Sequence, residues 1–152
     1  MRWILALPLI LCAGCLSQSS LDGFPLPEDA RRDGAVFYVE HQPTDERHLD
    51  RRVATELQSR GLNAVTDKSD SADFTVTYVD RWYWDMRTYL IDFRLDVRAA
   101  KTGVLIATGR SYQSSLSAMG KTHEEIIGSV VDIIVDGVSR PTPKKRSSSR
   151  RR

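Results

Sequence analysis

Asp80, Trp82 and Trp84 recur at every second position of an alternating segment, so all three project to one side of an extended strand. Paired indoles on one face can stack sugars or bases, and a carboxylate among them is an element of acid–base chemistry. The plainer reading starts from their neighbours. Phe74, Val76 and Tyr78 share the row, so the aromatics become a core face for helices to pack on. Asp80 then sits at the rim or bonds to backbone, because an isolated buried carboxylate is costly. Arg81, Asp92 and Arg94 fall on the opposite face, among Asp85, Asp96 and Arg98. Interleaved opposite charges there make either a solvated face with ion pairs worth ~0–1 kcal/mol each, or a polar docking surface. His41, His48 and His123 do not stand at metal-ligand spacing from one another or from a cysteine. The chain has no serine elbow, phosphate-binding glycine loop or paired-carboxylate motif. We therefore expect no catalytic residue, no metal and no cofactor.

The elements that position these residues follow from period and punctuation. Ala35–His41 reads as a strand ended by Pro43. Thr44 is placed to cap a helix with Asp45 and Glu46 in its first turn and a stripe of Leu49, Val53 and Leu57, closed by Arg60-Gly61. Leu62–Thr66 gives a second strand, parallel to the first. From Phe74 to Met86 the period is strictly two, and after Arg87-Thr88 an apolar row (Tyr89, Ile91, Phe93, Leu95, Val97, Ala99) returns. The expected hairpin sets Trp84 against Ile91, Trp82 against Phe93, Tyr78 against Val97 and Arg81 against Arg94. Lys101-Thr102-Gly103 turns into a fifth strand, Val104–Gln113, whose inward face is Leu105 and Ala107 for a three-residue loop or Val104 and Ile106 for a two-residue loop. Thr122 and Glu125 form a capping box for a last helix with a stripe of Ile127, Val130, Val131, Ile134 and Val138, flanked by Ile126 and Ile133. The sum is an α+β domain over 34–140: one mixed sheet of about five strands, with two helices packed on one face.

The two ends carry an address. Arg2, the apolar run Trp3–Leu11 and the small residues Ala13 and Gly14 before Cys15 have the layout of an export signal. A cysteine directly after the small pair is what a bacterial lipobox requires, so 1–14 reads as a lipoprotein signal peptide and Cys15 as the lipidation site, with Cys12 standing where the pattern prefers Leu. The alternative is an ordinary secretory signal followed by a free cysteine. The apolar run is about half the ~20 residues a membrane span needs. Residues 15–33, rich in Ser, Pro, Asp and Gly, read as a flexible tether. With Cys12 removed and Cys15 acylated no thiol remains, so packing alone must hold the domain. Six cations crowd the last nine residues, whereas 15–143 holds fifteen Lys and Arg against twenty Asp and Glu. A basic tail (141–152) thus hangs, disordered, from an acidic body. Outside the cytoplasm its counterparts are anionic lipid or lipopolysaccharide phosphates, or the acidic body itself; export argues against nucleic acid as the partner.

Tyr78-x-x-Arg81-Trp82-x-Trp84-Asp85, with Tyr89 in the return strand, resembles a small family of uncharacterised Gram-negative envelope lipoproteins, from about Asp73 to Val138. The resemblance implies a location and a fold, but no reaction. The chain departs from that pattern where Pro141 and the basic tail replace an apolar finish to the last helix. In lipoproteins of this type an Asp after the lipidated cysteine retains the protein in the inner membrane; Leu16 stands there, which by resemblance favours the outer membrane. The reading is a lipid-anchored periplasmic binding or accessory module with an envelope protein partner. Its alternative is a ligand-binding or weakly catalytic domain using a Trp/Asp cleft.

Overall fold

The structure, a computed structural model, describes residues 19–137. The signal peptide, Cys15, Leu16, Val138 and the basic tail lie outside the described residues. The strands are β1 (Ser20–Phe24), β2 (Val36–Val39), β3 (Asn63–Val65), β4 (Phe74–Asp85), β5 (Arg87–Ala99) and β6 (Leu105–Tyr112). The helices are α1 (Leu49–Ser59), a single turn α2 (Ser115–Ala118) and α3 (His123–Asp136). One sheet contains all six strands in the order β1-β6-β5-β4-β2-β3. Strand β2 runs parallel to β3 and β4, and the other pairs are antiparallel. The α+β mixed sheet with two long helices on one face is therefore as expected, with one strand more.

That strand is β1. It lies in the stretch expected to be a tether, and it pairs with β6 from Ser20↔Tyr112 to Phe24↔Thr108. Gly23 faces Gly109 across this pair, which lets α3 lie directly on the ladder. Beyond it Leu26 and Ala30 enter the core, and Leu26 N–H donates to the Ile134 carbonyl at 2.8 Å. The folded body thus begins by Ser20, not at 34. Its polar composition hides it, because an edge strand with one bare side needs few apolar residues.

Helix α1 buries Leu49, Val53 and Leu57 as its stripe dictates, and Gly61 closes it with φ +84°. Its start is corrected. The cap is not Thr44: His48 holds the N-cap position in the left-handed region (φ 54°), and the Asp45 carboxylate accepts from the Leu49 and Arg47 amides at 2.6 and 2.8 Å. Helix α3 begins with the expected capping box, Glu125 N–H to Thr122 Oγ1 and Thr122 N–H to Glu125 Oε2. Ile127, Val130, Val131 and Ile134 are fully buried against the sheet, with Ile126 and Ile133 beside them.

The β4–β5 hairpin forms, in a different register. Met86 alone makes the bend, at φ 59°, with Asp85 opposite Arg87. Tyr78 faces Leu95 rather than Val97, and Arg81 faces Asp92 rather than Arg94, which replaces a like-charge pair by an attractive one. Between Arg81 and Trp82 the register shifts, leaving Ile91 as a bulge, so Trp82 faces Leu90 and Trp84 faces Thr88. The bulge turns Leu90 into the core in place of Ile91. In the next turn Gly103 takes the left-handed position (φ 69°). Each of the two expected alternations holds in part: Ala107 is buried and Val104 is 58% exposed, but a register shift between Val97 and Arg98 sets Leu105 opposite Arg98 and packs Ile106 against the core.

Candidate functional site

The sheet face turned away from α1 and α3 is a lattice of charge. Across the strands run the rows Arg81–Asp92–Tyr112–Ser20, Val79–Arg94–Arg110–Asp22 and Thr77–Asp96–Thr108–Phe24. Asp92 is buried beneath Arg110, which donates to it twice, Nε to Oδ1 at 2.8 Å and Nη2 to Oδ2 at 2.7 Å. That forked bond holds the Asp92 carboxyl below the usual carboxylate range against the opposing pull of burial, with Arg81 and Arg94 adding to it. Asp96 is buried too, accepts from Thr108 Oγ1 at 2.6 Å, and lies 3.4 Å from Arg94. Arg81, Asp92 and Arg94 share this face as their alternation predicts, with Asp92 and not Arg94 opposite Arg81. Arg110, the cation that organises them, was not singled out, because only the pairing of β6 with β5 brings it to Asp92.

Asp80, Trp82 and Trp84 share a strand but not an environment. Trp82 is half-buried against the core and its Nε1–H donates to Asp80 Oδ2 at 2.6 Å. The Arg47 guanidinium lies over the Trp82 ring, 4.3 Å from its centre, and His123 meets it edge-on at 5.9 Å. Cation–π contact and the Asp80 bond thus fix the indole between the α1 loop and the start of α3. Trp84 overturns the core reading. It is 73% exposed, because β4 and β5 outrun the rest of the sheet by the length of the hairpin tip. Met86 at the bend is 94% exposed and Tyr83 45%, so the tip presents three large apolar side chains to water.

The histidines also depart from expectation. His41 follows the end of β2 and His48 precedes α1, and the loop between them folds back so that their rings lie 5.8 Å apart. Asp50, in the first turn of α1, joins them, and one ligand atom from each of the three lies within 4.8 Å of the others. Spacing alone hid the cluster, because it is closed by the left-handed turn at His48 and not by a regular element.

No family model and no curated protein matches the sequence. Among solved structures, the fold is similar to the PelC dodecamer from Paraburkholderia phytofirmans (TM-score 0.53, 13% identity, covering 77% of this chain and 98% of that one). A single-substitution variant of the same PelC dodecamer gives a TM-score of 0.50 at 13% identity, covering 75% of this chain and 95% of that one. At this identity the likeness is one of fold.

Proposed function

We propose that the protein is a lipid-anchored module on the periplasmic side of the bacterial outer membrane, acting by binding and not by catalysis. The observation that carries this reading is the projecting hairpin tip, which offers Trp84, Met86 and Tyr83 to solvent without a structural need. The tip and Ser20, the first residue of β1, belong to one end of the sheet. Ser20 lies in the same cross-strand row as Arg81, and β1 runs away from the hairpin end, so the chain enters the sheet at the end from which the tip projects. Five residues from Cys15 to Ser20 span at most about 18 Å, and five from Arg81 to Met86 extend about 17 Å. An anchor drawn straight would bring the Met86 thioether level with the bilayer surface and the Trp84 indole to within about 7 Å of it, near the zone where amphipathic aromatics settle. The several acyl chains of a mature lipoprotein provide the firm hold that one chain does not.

The carboxylates of the site are engaged in structure, Asp80 by Trp82, Asp92 by Arg110 and Asp96 by Thr108, which supports a binding role. The bare charged face is then the surface for an envelope protein partner. Further copies of this chain belong to that partner class, since PelC builds a dodecamer from a similar fold.

Cys15→Ser is expected to release the protein from the membrane pellet. Residual association of this variant with anionic phospholipid vesicles is expected to fall at least about 10-fold on adding Trp84→Ser and Met86→Ser, with an unchanged melting temperature. Each exposed apolar side chain contributes roughly 1–2 kcal/mol when it enters an apolar phase. Persistence of Cys15→Ser in the pellet, or vesicle binding indifferent to the tip, overturns the reading. Crosslinking in intact cells, with and without Arg94→Glu, tests the charged face as the partner's seat.

A further inference from the structure

We propose that His41, His48 and Asp50 form a binding site for a divalent transition-metal ion of the zinc class. The first observation is an orphan. Asp50 is 5% exposed, and its Oδ1 is buried without a hydrogen-bond partner. A buried carboxylate oxygen left unpartnered is costly, so a native fold keeps one only where something satisfies it. The second is geometry. His41 Nδ1 lies 3.4 Å from that same oxygen. Two ligand atoms each ~2.0–2.1 Å from one zinc ion at the tetrahedral angle stand about 3.4 Å apart, so this pair already has the separation that shared coordination demands. The third is the set. His48 adds a second, exposed imidazole, with all three ligand atoms within 4.8 Å of one another.

Two imidazole nitrogens and one carboxylate oxygen suit zinc, copper or nickel, and not calcium or magnesium, which ask for six or more oxygens or a shell of water. Three protein ligands leave a position open to water or to a ligand from a partner. The backbone is arranged for it: His48 sits in the left-handed turn before α1, stacked on His41. Charge does not by itself draw a cation here. Arg47, Arg51 and Arg52 line the cleft beside His48, while Asp45 and Asp50 lie on the other side near His41. Binding would come from coordination, which predicts selectivity for Zn²⁺ or Co²⁺ over Mg²⁺.

The test is equilibrium dialysis of the full chain in detergent against Zn²⁺, paired with the visible absorption of Co²⁺. The wild type is expected to take up one ion per chain and to show the d–d bands of a four-coordinate site, with no uptake of Mg²⁺. His41→Ala, His48→Ala and Asp50→Asn should each weaken Zn²⁺ at least about 10-fold, a loss at the lower end of what perturbing a metal site brings. The two histidines are exposed, so their variants keep the fold and the outcome does not hinge on Asp50. Uptake below about 0.1 ion per chain, or uptake unchanged in the His41→Ala/His48→Ala double variant, overturns the proposal. This site is independent of the hairpin tip, and neither result bears on the other.

Discussion

Gly109→Val is expected to cost about 4 kcal/mol and to leave the domain largely unfolded at physiological temperature. A Cβ at Gly109 would stand 2.9 Å from the Val130 carbonyl oxygen and 3.1 Å from Val130 Cγ1. The first of these belongs to the backbone of α3, which cannot yield without lifting the helix from β6, and lifting it exposes Val130, Ile133 and Ile134. Overpacking a well-filled core costs ~1–3 kcal/mol even where side chains can adjust, and a rigid neighbour and a branched side chain push the figure higher. Gly23, opposite on β1 at φ +151°, is closed in by the Thr108 carbonyl and Ile133, so Gly23→Ala should be comparably damaging. Gly128 provides the contrast. It lies within α3, and a Cβ there meets only the Arg60 and Glu56 side-chain ends at ordinary contact distances of 3.5 and 3.6 Å. Gly128→Ala should therefore stabilise by about 0.5–1 kcal/mol through helix propensity alone. Urea titration of the three variants reads all the effects, and a Gly109→Val midpoint equal to wild type would show that α3 does not rest on β6 as described.

The second large effect belongs to Asp45. This carboxylate is buried and accepts three hydrogen bonds, from the Tyr78 hydroxyl at 2.7 Å and from the Leu49 and Arg47 amides. It ties the start of α1 to the centre of β4. Asp45→Ala leaves a buried phenol and two amides without their acceptor, an expected loss of about 3 kcal/mol, which for a domain of this size lowers the melting temperature by roughly 10 °C. Tyr78→Phe removes one donor and should cost about 1 kcal/mol. The pair also predicts pH dependence. Burial pulls the Asp45 carboxyl upward, but the bonds from Tyr78, Arg47 and Leu49 outweigh it and hold the group below its ordinary value. A lowered carboxyl stabilises the fold above the unfolded value near ~3.9 and loses that contribution as pH falls toward the folded value. The Tyr78 hydroxyl is pushed upward by burial and by Asp45. Its contribution is present below about pH 10 and fades as pH rises further. Thermal melts across pH should show the wild-type advantage over Asp45→Asn narrowing below about pH 4, and its advantage over Tyr78→Phe narrowing in strong base. A constant gap in acid contradicts the assigned bonds.

What could be read from the chain was whatever period and punctuation encode. Helix α3 announces itself through Thr122, Glu125 and a continuous apolar stripe, and the strands from Phe74 onward through strict alternation. Long-range pairing was less legible. Alternation fixes which face a residue takes but not its opposite number, so the hairpin register needed the Met86 bend and the Ile91 bulge, neither of which has a strong local signature. Trp84 has the same residue type and parity as Trp82, yet one is half-buried and the other bare. The difference is how far β4 outruns its neighbours, and no local pattern records that. Asp45 and His48 were hidden because a loop, not a helix or strand, brings them to their partners.

Strand β1 carries a mechanical consequence. Among the described residues it is the paired segment nearest the proposed anchor, so under that anchorage a pull on the body away from the bilayer is transmitted lengthwise along Ser20–Phe24. Antiparallel hydrogen bonds lie perpendicular to the strands, so the β1–β6 ladder is loaded in shear and its rungs must yield together rather than unzip one by one. A strand that looks peripheral would then serve as the clamp through which the whole domain withstands tension.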